Sequence, residues 1–268
     1  MHINLKGKLA LVCASTKGLG FSSALNLAKA GCNVILTGRS NQNLSKARLE
    51  ILNDCKKIGI DISVECIKVD LNEVDSLPDF ESKLDSLPDI DILVVNSGGP
   101  SPGTFESFSN AEIFESESSK ITYPAITLIK YVLPSMKKNN WGRIINISSI
   151  GLAKPITGLA VSNASRSFLA GLMVGIANEN AKFGITVNTI MPGIIWTERQ
   201  KMLAEHDSEL QGIPVDQIVA DKAAMVPSGK IGEPDDVGSL TTFLSSKNAS
   251  YINGQFIAVD GGFLGLLR

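Results

Sequence analysis

Short apolar, β-branched runs alternate with helical segments along the whole chain, and this alternation restricts the fold more than any single motif. The runs fall at residues 9–13, 33–37, 64–69, 90–95, 143–147, 185–190 and 256–259. Helices are expected at 19–30, 41–58, 74–87, around 121–138, 159–183 and 235–246. In the second of these Leu44, Ala47, Leu49, Leu52 and Cys55 recur at helical spacing, with Ser40 or Asn41 placed to cap the start. Pro234 suits the first turn of the last helix, where its missing N–H is not needed. Strict β-α alternation implies parallel strands, right-handed crossovers and helices on both faces. The expected fold class is α/β, a Rossmann-type doubly wound parallel sheet. No Pro/Ser-rich linker or charge block divides the 268 residues, so 1–268 are expected to form a single domain. The 44% hydrophobic content suits a sheet buried on both faces.

A net charge of −2 gives no basic footprint, so no nucleic-acid partner is expected. Cys13, Cys32, Cys55 and Cys66 show no CxxC spacing, and Cys13 and Cys32 read as small buried thiols. Only His2 and His206 offer imidazole, so no metal site is expected. The amino terminus has no signal-peptide pattern, and the apolar run 9–13 is too short to span a bilayer. No membrane association and a cytoplasmic location are the expectation.

Ligands of such sheets bind outside the carboxyl ends of the strands. The first of these positions carries Ala14-Ser15-Thr16-Lys17-Gly18-Leu19-Gly20. Glycines there let the backbone approach a pyrophosphate, and the helix start offers unpaired N–H groups and a positive dipole end. Two glycines also suit a plain strand–helix turn; their place after the first strand of a β-α-β unit favours a dinucleotide site. The second strand ends Thr37-Gly38-Arg39, nineteen residues past Gly20. A site for NAD(H) would carry Asp or Glu near this point for the ribose 2′-hydroxyl, whereas an arginine accommodates a 2′-phosphate. Arg39, with Lys17 on the neighbouring loop, favours NADP(H) over the alternative of two solvated surface charges.

On these residues and on an ordered set of later motifs, the chain resembles the short-chain dehydrogenase/reductase family over nearly its whole length. The first turn is similar to the family's TGxxxGxG, with Cys13 and Ala14 in place of its Thr and first Gly; Ala14 is expected to cost little, provided its backbone avoids positive φ. Val69-Asp70-Leu71 is similar to the adenine-contacting segment after strand three, and Asn96-Ser97-Gly98 to the end of NNAG after strand four. Gly142 to Ser149 resembles the fifth strand with its catalytic serine, at Ser149 here. Pro192-Gly193 with Thr197 is similar to the PGxxxT loop at the nicotinamide end, and Val259-Asp260-Gly261-Gly262 to the C-terminal signature. Several features of the second half are most similar to 3-oxoacyl-(acyl-carrier-protein) reductases. The resemblance implies cofactor contacts from Ser15, Thr16, Lys17, Gly18, Leu19, Gly20, Arg39, Asp70, Leu71, Asn96, Gly98, Pro192, Gly193, Ile195 and Thr197. It also implies a small-molecule carbonyl or alcohol substrate and a homodimer or homotetramer.

One departure outweighs the matches. The family carries YxxxK on the helix after the catalytic serine; the corresponding positions here hold Ser162 and Arg166. Tyr123, Tyr131 and Tyr251 are the only tyrosines and all lie outside that segment. The family's active-site Asn is also absent, with Lys120 or Ile121 at the expected place. A phenol with pKa near 10, lowered by a neighbouring Lys, protonates the substrate oxygen in the family. A serine hydroxyl is far less acidic and shorter, and an arginine relays protons poorly. Three readings stay open at this point. One is an oxidoreductase with altered proton delivery, in which a water held by Ser149, Ser162 and Arg166 protonates the carbonyl oxygen. Another is an NADP(H)-binding protein with little or no turnover. The third is a different reaction in the same pocket, such as elimination or isomerisation. The bland alternatives are a serine capping a strand end at 149 and an ordinary helix-surface pair at 162 and 166.

The segment 194–225 is expected to cover the substrate end as a lid, with an apolar stripe of Trp196, Met202, Leu203, Leu210, Ile213, Ile218 and Val219. Phe168, Leu169, Leu172, Met173 and Ile176 give the helix 159–183 more apolar faces than one sheet contact needs, and the tail 263–267 is also apolar. Both are expected to seek cover, in a subunit interface or, for the tail, over the active site.

Overall fold

Alternate side chains along β1 (Leu9–Val12) build both halves of the core at once, Leu9 and Leu11 facing one helical layer, Ala10 and Val12 the other. The computed structural model describes residues 3–265, except the side chains of Val74, His206 and Leu210. Within them β1 is the third strand from one edge of a seven-stranded parallel sheet, beside the central one. The other strands are β2 (Asn33–Gly38), β3 (Val64–Lys68), β4 (Ile92–Val95), β5 (Gly142–Ile147), β6 (Ile185–Pro192) and β7 (Phe256–Val259), in the order β3-β2-β1-β4-β5-β6-β7. The α/β doubly wound fold is as the alternation implies.

On one face α1 (Gly18–Lys29), α2 (Asn41–Lys57) and α8 (Pro234–Leu244) bury Leu27, Leu44, Ile51, Val237 and Leu244 against Val12, Val34, Leu36 and Val94. On the other, α3 (Leu77–Leu84), α4 (Ala111–Lys138) and α5 (Ala160–Asn180) bury Phe80, Leu128, Val132, Leu169 and Met173 against Leu11, Ile35, Leu93 and Val187. Each such fully buried side chain is worth about 1.5–3 kcal/mol. The sheet is thus covered on both sides, which its near-continuous apolar strands require.

The differences from expectation are local. In α2 the buried positions are Leu44, Ala47, Ile51 and Cys55; Leu49 points to solvent, because an i, i+3, i+7, i+11 stripe leaves it off the sheet-facing side. Ser40, rather than Asn41, is the cap, accepting from the Asn43 N–H. α4 begins ten residues before the expected start, capped by Asn110 accepting from Ile113 N–H at 2.9 Å. Its first turns are acidic and serine-rich, so no apolar periodicity marks them. The segment 194–225 contains α6 (Glu198–Gln211) and α7 (Val215–Ala224), of which Ile218 is buried while Met202 and Leu203 are exposed. The Leu210 side chain, and Leu266 and Leu267 of the apolar tail, lie outside the described residues.

Candidate functional site

In strand order the chain reverses direction of travel at β1 and β4, and the loops at their carboxyl ends diverge there to open a crevice. A cleft of about 480 Å³ occupies that place. Its wall includes Ala14 and Thr16 to Leu19 after β1, Thr37 to Arg39 at the end of β2, and Val69 to Asn72 after β3. Asn96 to Gly98 after β4, Arg166 on α5, and Thr197 to Arg199 at the start of α6 complete it.

The turn after β1 is built around a residue that sequence reasoning treated too lightly. Ala14 costs little if its φ is negative; in the structure its φ is +47°. Two hydrogen bonds force that conformation. Its N–H donates to Thr37 Oγ1 at 2.9 Å, and its carbonyl accepts from Asn96 Nδ2 at 3.4 Å. Asn96 Nδ2 also donates to Cys13 O, so one side chain ties the loops after β1 and β4 together. Gly20 serves packing, since a Cβ there would collide with the carbonyls of Cys13 and Ala14. Gly18 serves conformation, with φ +60°; a Cβ there would meet only the Thr197 side chain, at an ordinary contact distance of 3.7 Å. Ser15 lies beneath the turn, wholly buried, its hydroxyl donating to Val12 O and accepting from Thr37 N–H. Cys13 is buried below, and burial pushes its thiol up to about 12.

Cations stand at this end of the cleft. Lys17 is the residue before α1, and no side chain caps that helix, so its first N–H groups face the cleft without a side-chain partner. Thr16 packs on Gly38, where any side chain would clash with its methyl. The Arg39 side chain is 74% exposed, and its nearest carboxylate is Asp70 at 3.9 Å, a loose contact worth little. Asp70 also accepts from Asn72 N–H, which fixes the loop carrying Leu71.

The opposite end differs. Arg166 donates from Nε to Ser162 Oγ at 3.1 Å and from Nη1 to Ile147 O at 3.4 Å. Burial first, then the neighbouring Arg199, lower its pKa to about 10. Ser149 Oγ accepts from Gly151 N–H at 3.0 Å and caps a short 3₁₀ turn. The cleft wall reaches Arg166 but neither Ser149 nor Ser162, and none of Tyr123, Tyr131 and Tyr251 lines it. Lys120 is bonded to Glu117 and Ile121 is buried. Thr197 caps α6 by accepting from Gln200 N–H. Pro192, Gly193 and Ile195 lie behind the wall: Pro192 ends β6, Gly193 donates to Val259 O and packs on Asp260, and Ile195 is buried beside Gly232. Arg199, which donates to Gly98 O, was missed from sequence. Its signal was a cation in the first turn of a helix, where an acid is the stabilising choice.

A family model described as enoyl-(acyl carrier protein) reductase matches residues 13–264. The 3-oxoacyl-(acyl-carrier-protein) reductase FabG of Aquifex aeolicus is 32% identical over 264 residues, 98% of this chain and 99% of its own. The D-beta-hydroxybutyrate dehydrogenase of Cupriavidus necator is 31% identical over 265 residues, 97% of this chain and 99% of its own. Among solved structures, L-sorbose reductase from Gluconobacter frateurii, complexed with NADPH and L-sorbose, has a TM-score of 0.90 at 26% identity, covering 100% of both chains. YwfH, an NADPH dependent reductase involved in bacilysin biosynthesis, has a TM-score of 0.88 at 27% identity, covering 97% of this chain and 99% of that one.

Proposed function

The chain belongs to the short-chain dehydrogenase/reductase family, and from that premise we propose that it is an NADP(H)-dependent oxidoreductase acting on a small carbonyl or alcohol substrate without a tyrosine acid. The observation that carries the cofactor reading is the pair Lys17 and Arg39 on the cleft wall, with Arg39 at the position where an NAD(H) site needs a carboxylate. The residues fit such a group: an α1 start without a side-chain cap, a left-handed Gly18, and an exposed guanidinium with only a loose partner. Thr16, Lys17, Gly18 and Leu19 would hold the pyrophosphate, Arg39 and Lys17 the 2′-phosphate, and Asp70, Leu71, Asn96, Gly98 and Thr197 the remainder. Ser15, Gly20, Pro192, Gly193 and Ile195 would shape that surface from behind. The dinucleotide supplies or accepts hydride when bound.

The chain's own part is to orient the carbonyl and deliver a proton to its oxygen. Ser149 Oγ spends a lone pair on Gly151 N–H, which leaves its O–H free to donate. Ser162 Oγ likewise accepts from Arg166, which polarises its O–H toward donation. A charged Arg166 cannot itself give up a proton readily, so the proposed source is a water held among Ser149, Ser162 and Arg166, which takes a replacement proton from bulk solvent as it gives up its own. The absence of a phenol from the cleft wall favours a second reading, a cofactor-binding protein with little turnover. Following absorbance of NADPH with a panel of ketones, oxo acids and 3-oxoacyl thioesters separates the two; tight binding with no oxidation on any of them supports the second. For the cofactor, Arg39→Ala should weaken NADPH binding by roughly ten- to a hundredfold and NADH binding little. Equal loss for both removes the assignment.

The remaining proposals concern assembly and access. Tyr123 on α4 and Phe168 on α5 are exposed, which suits pairing of these helices in a homodimer or homotetramer. Light scattering that finds a monomer excludes it. The segment 194–225 is proposed as the lid, because α6 brings Thr197, Glu198 and Arg199 to the cleft.

A further inference from the structure

At the end of the cleft away from Arg39 two arginines, the half-buried Arg166 and the exposed Arg199, stand together with no carboxylate bonded to either among the described residues. Gly99 follows the Ser97-Gly98 wall after β4, with φ +78°. A methyl built on it would lie 3.3 Å from Arg199 Nη1 and 3.8 Å from Arg166 Nη2. Nitrogens of two guanidinium groups, from different helices, therefore border one small volume, which a glycine leaves open.

Their hydrogen bonds go only to neutral acceptors: Arg166 to Ser162 Oγ and Ile147 O, Arg199 to Gly98 O. Arg166 Nη2, the atom nearest the shared volume, makes none. Among the described residues neither arginine has a carboxylate within salt-bridge distance. Glu198 is on the same wall but exposed and unpaired with either, and Glu117 is engaged with Lys120 and Ser101 N–H. Arg199 also stands in the first turn of α6, where the helix dipole adds to the positive potential instead of offsetting it. Arg166 feels the repulsion, its pKa being lowered by burial and then by Arg199.

A dinucleotide held by Lys17 and Arg39 would set its 2′-phosphate at the far end and its pyrophosphate against Gly18, and would bring an uncharged or cationic ring to this end. The geometry points to the substrate as the source of a counter-charge: Arg199 and Arg166 form a carboxylate-binding end of the substrate site, and the protein acts on a small oxo acid or hydroxy acid rather than a thioester. Planar guanidinium groups match a carboxylate by paired N–H donors, a recognition that an ester or a neutral ketone does not offer. The inference rests on the proposed cofactor orientation, and its test keeps the two separable.

The protein saturated with NADPH is titrated with malonate in chloride-free buffer by calorimetry. In parallel, turnover is compared for 3-oxobutanoate and its methyl ester, in wild type, Arg199→Gln and Arg199→Lys, with thermal melts and NADPH affinity as controls. Malonate should bind the wild type, and Arg199→Gln should weaken it roughly ten- to a hundredfold, with partial rescue by Lys. The preference for acid over ester in kcat/KM should fall by a similar factor, mainly through KM. Arg199-dependent malonate binding without turnover of either compound upholds the anion site while removing reduction of this oxo acid as its activity. No malonate binding to the wild type overturns the inference. So does an Arg199→Gln effect equal on acid and ester, or a loss of NADPH affinity as large as the loss for malonate.

Discussion

Ala14→Gly should stabilise this protein, although glycine normally costs stability by loosening the unfolded chain. Ala14 sits at φ +47°, where its Cβ crowds the following carbonyl, at a cost of about 1–2 kcal/mol for an L-residue. It cannot relax to negative φ without giving up the bond from its N–H to Thr37 Oγ1 at 2.9 Å and that from Asn96 to its carbonyl. Glycine keeps both bonds and removes the crowding. Against this stands a loss of roughly 0.4–1 kcal/mol from the greater freedom of glycine in the unfolded state. The balance is a gain of about 0.5–1 kcal/mol, or roughly 1–4 °C in Tm for a chain of this size. Ala14→Val should lose more than 1 kcal/mol relative to wild type, roughly, because a β-branched side chain tolerates this region worst. The assay is reversible urea unfolding, reading the midpoint at unchanged slope. A lower midpoint for glycine together with a neutral valine would refute the reasoning, for it would mean that Ala14 has negative φ in solution and that the Thr37 and Asn96 clamp is absent.

If the protein turns over a carbonyl substrate, Ser149→Ala and Ser162→Ala should each lower kcat by about ten- to a thousandfold with little change in NADPH affinity; unchanged rates in both remove the proposed proton path. Arg143, buried on β5, donates to the carbonyls of Gly142, Gly184 and Ser246, so Arg143→Met should cost about 1.5–3 kcal/mol and Arg143→Lys less. A Met variant as stable as wild type in the same urea titration would show that the site needs volume rather than donors. Burial raises the pKa of both Cys13 and Cys32, so at pH 8 a disulfide reagent should leave them unmodified in the native protein and reach all four cysteines after denaturation. Rapid native labelling of Cys13 would mean that the turn after β1 opens.

What the sequence made legible follows from where the physical cause of each feature lies. The sheet and its layers were readable because buried parallel strands must be apolar throughout, as Leu11, Ile35, Leu93 and Val187 are, whatever surrounds them. The residues at the Arg39 end of the cleft were readable because they are set locally: a helix start, a left-handed Gly18, a cation after the second strand. α4 was read short because Glu112 to Ser119 is held by a cap at Asn110 rather than by an apolar stripe. Ala14 was misjudged because its φ is imposed from outside its own turn, by Thr37 and Asn96. Arg199 went unnoticed for a similar reason. Nothing in its neighbours along the chain calls for a cation, and its significance appears only when α6 brings it to the Gly99 volume beside Arg166. On the proposed reading, Ser162 and Arg166 in place of the family's tyrosine and lysine change more than a proton donor. With Ser162 bonded to Arg166 and Arg199 nearby, that end of the cleft would favour a negative charge on whatever it receives, so the same departure that removes the usual proton path would also narrow the class of substrate.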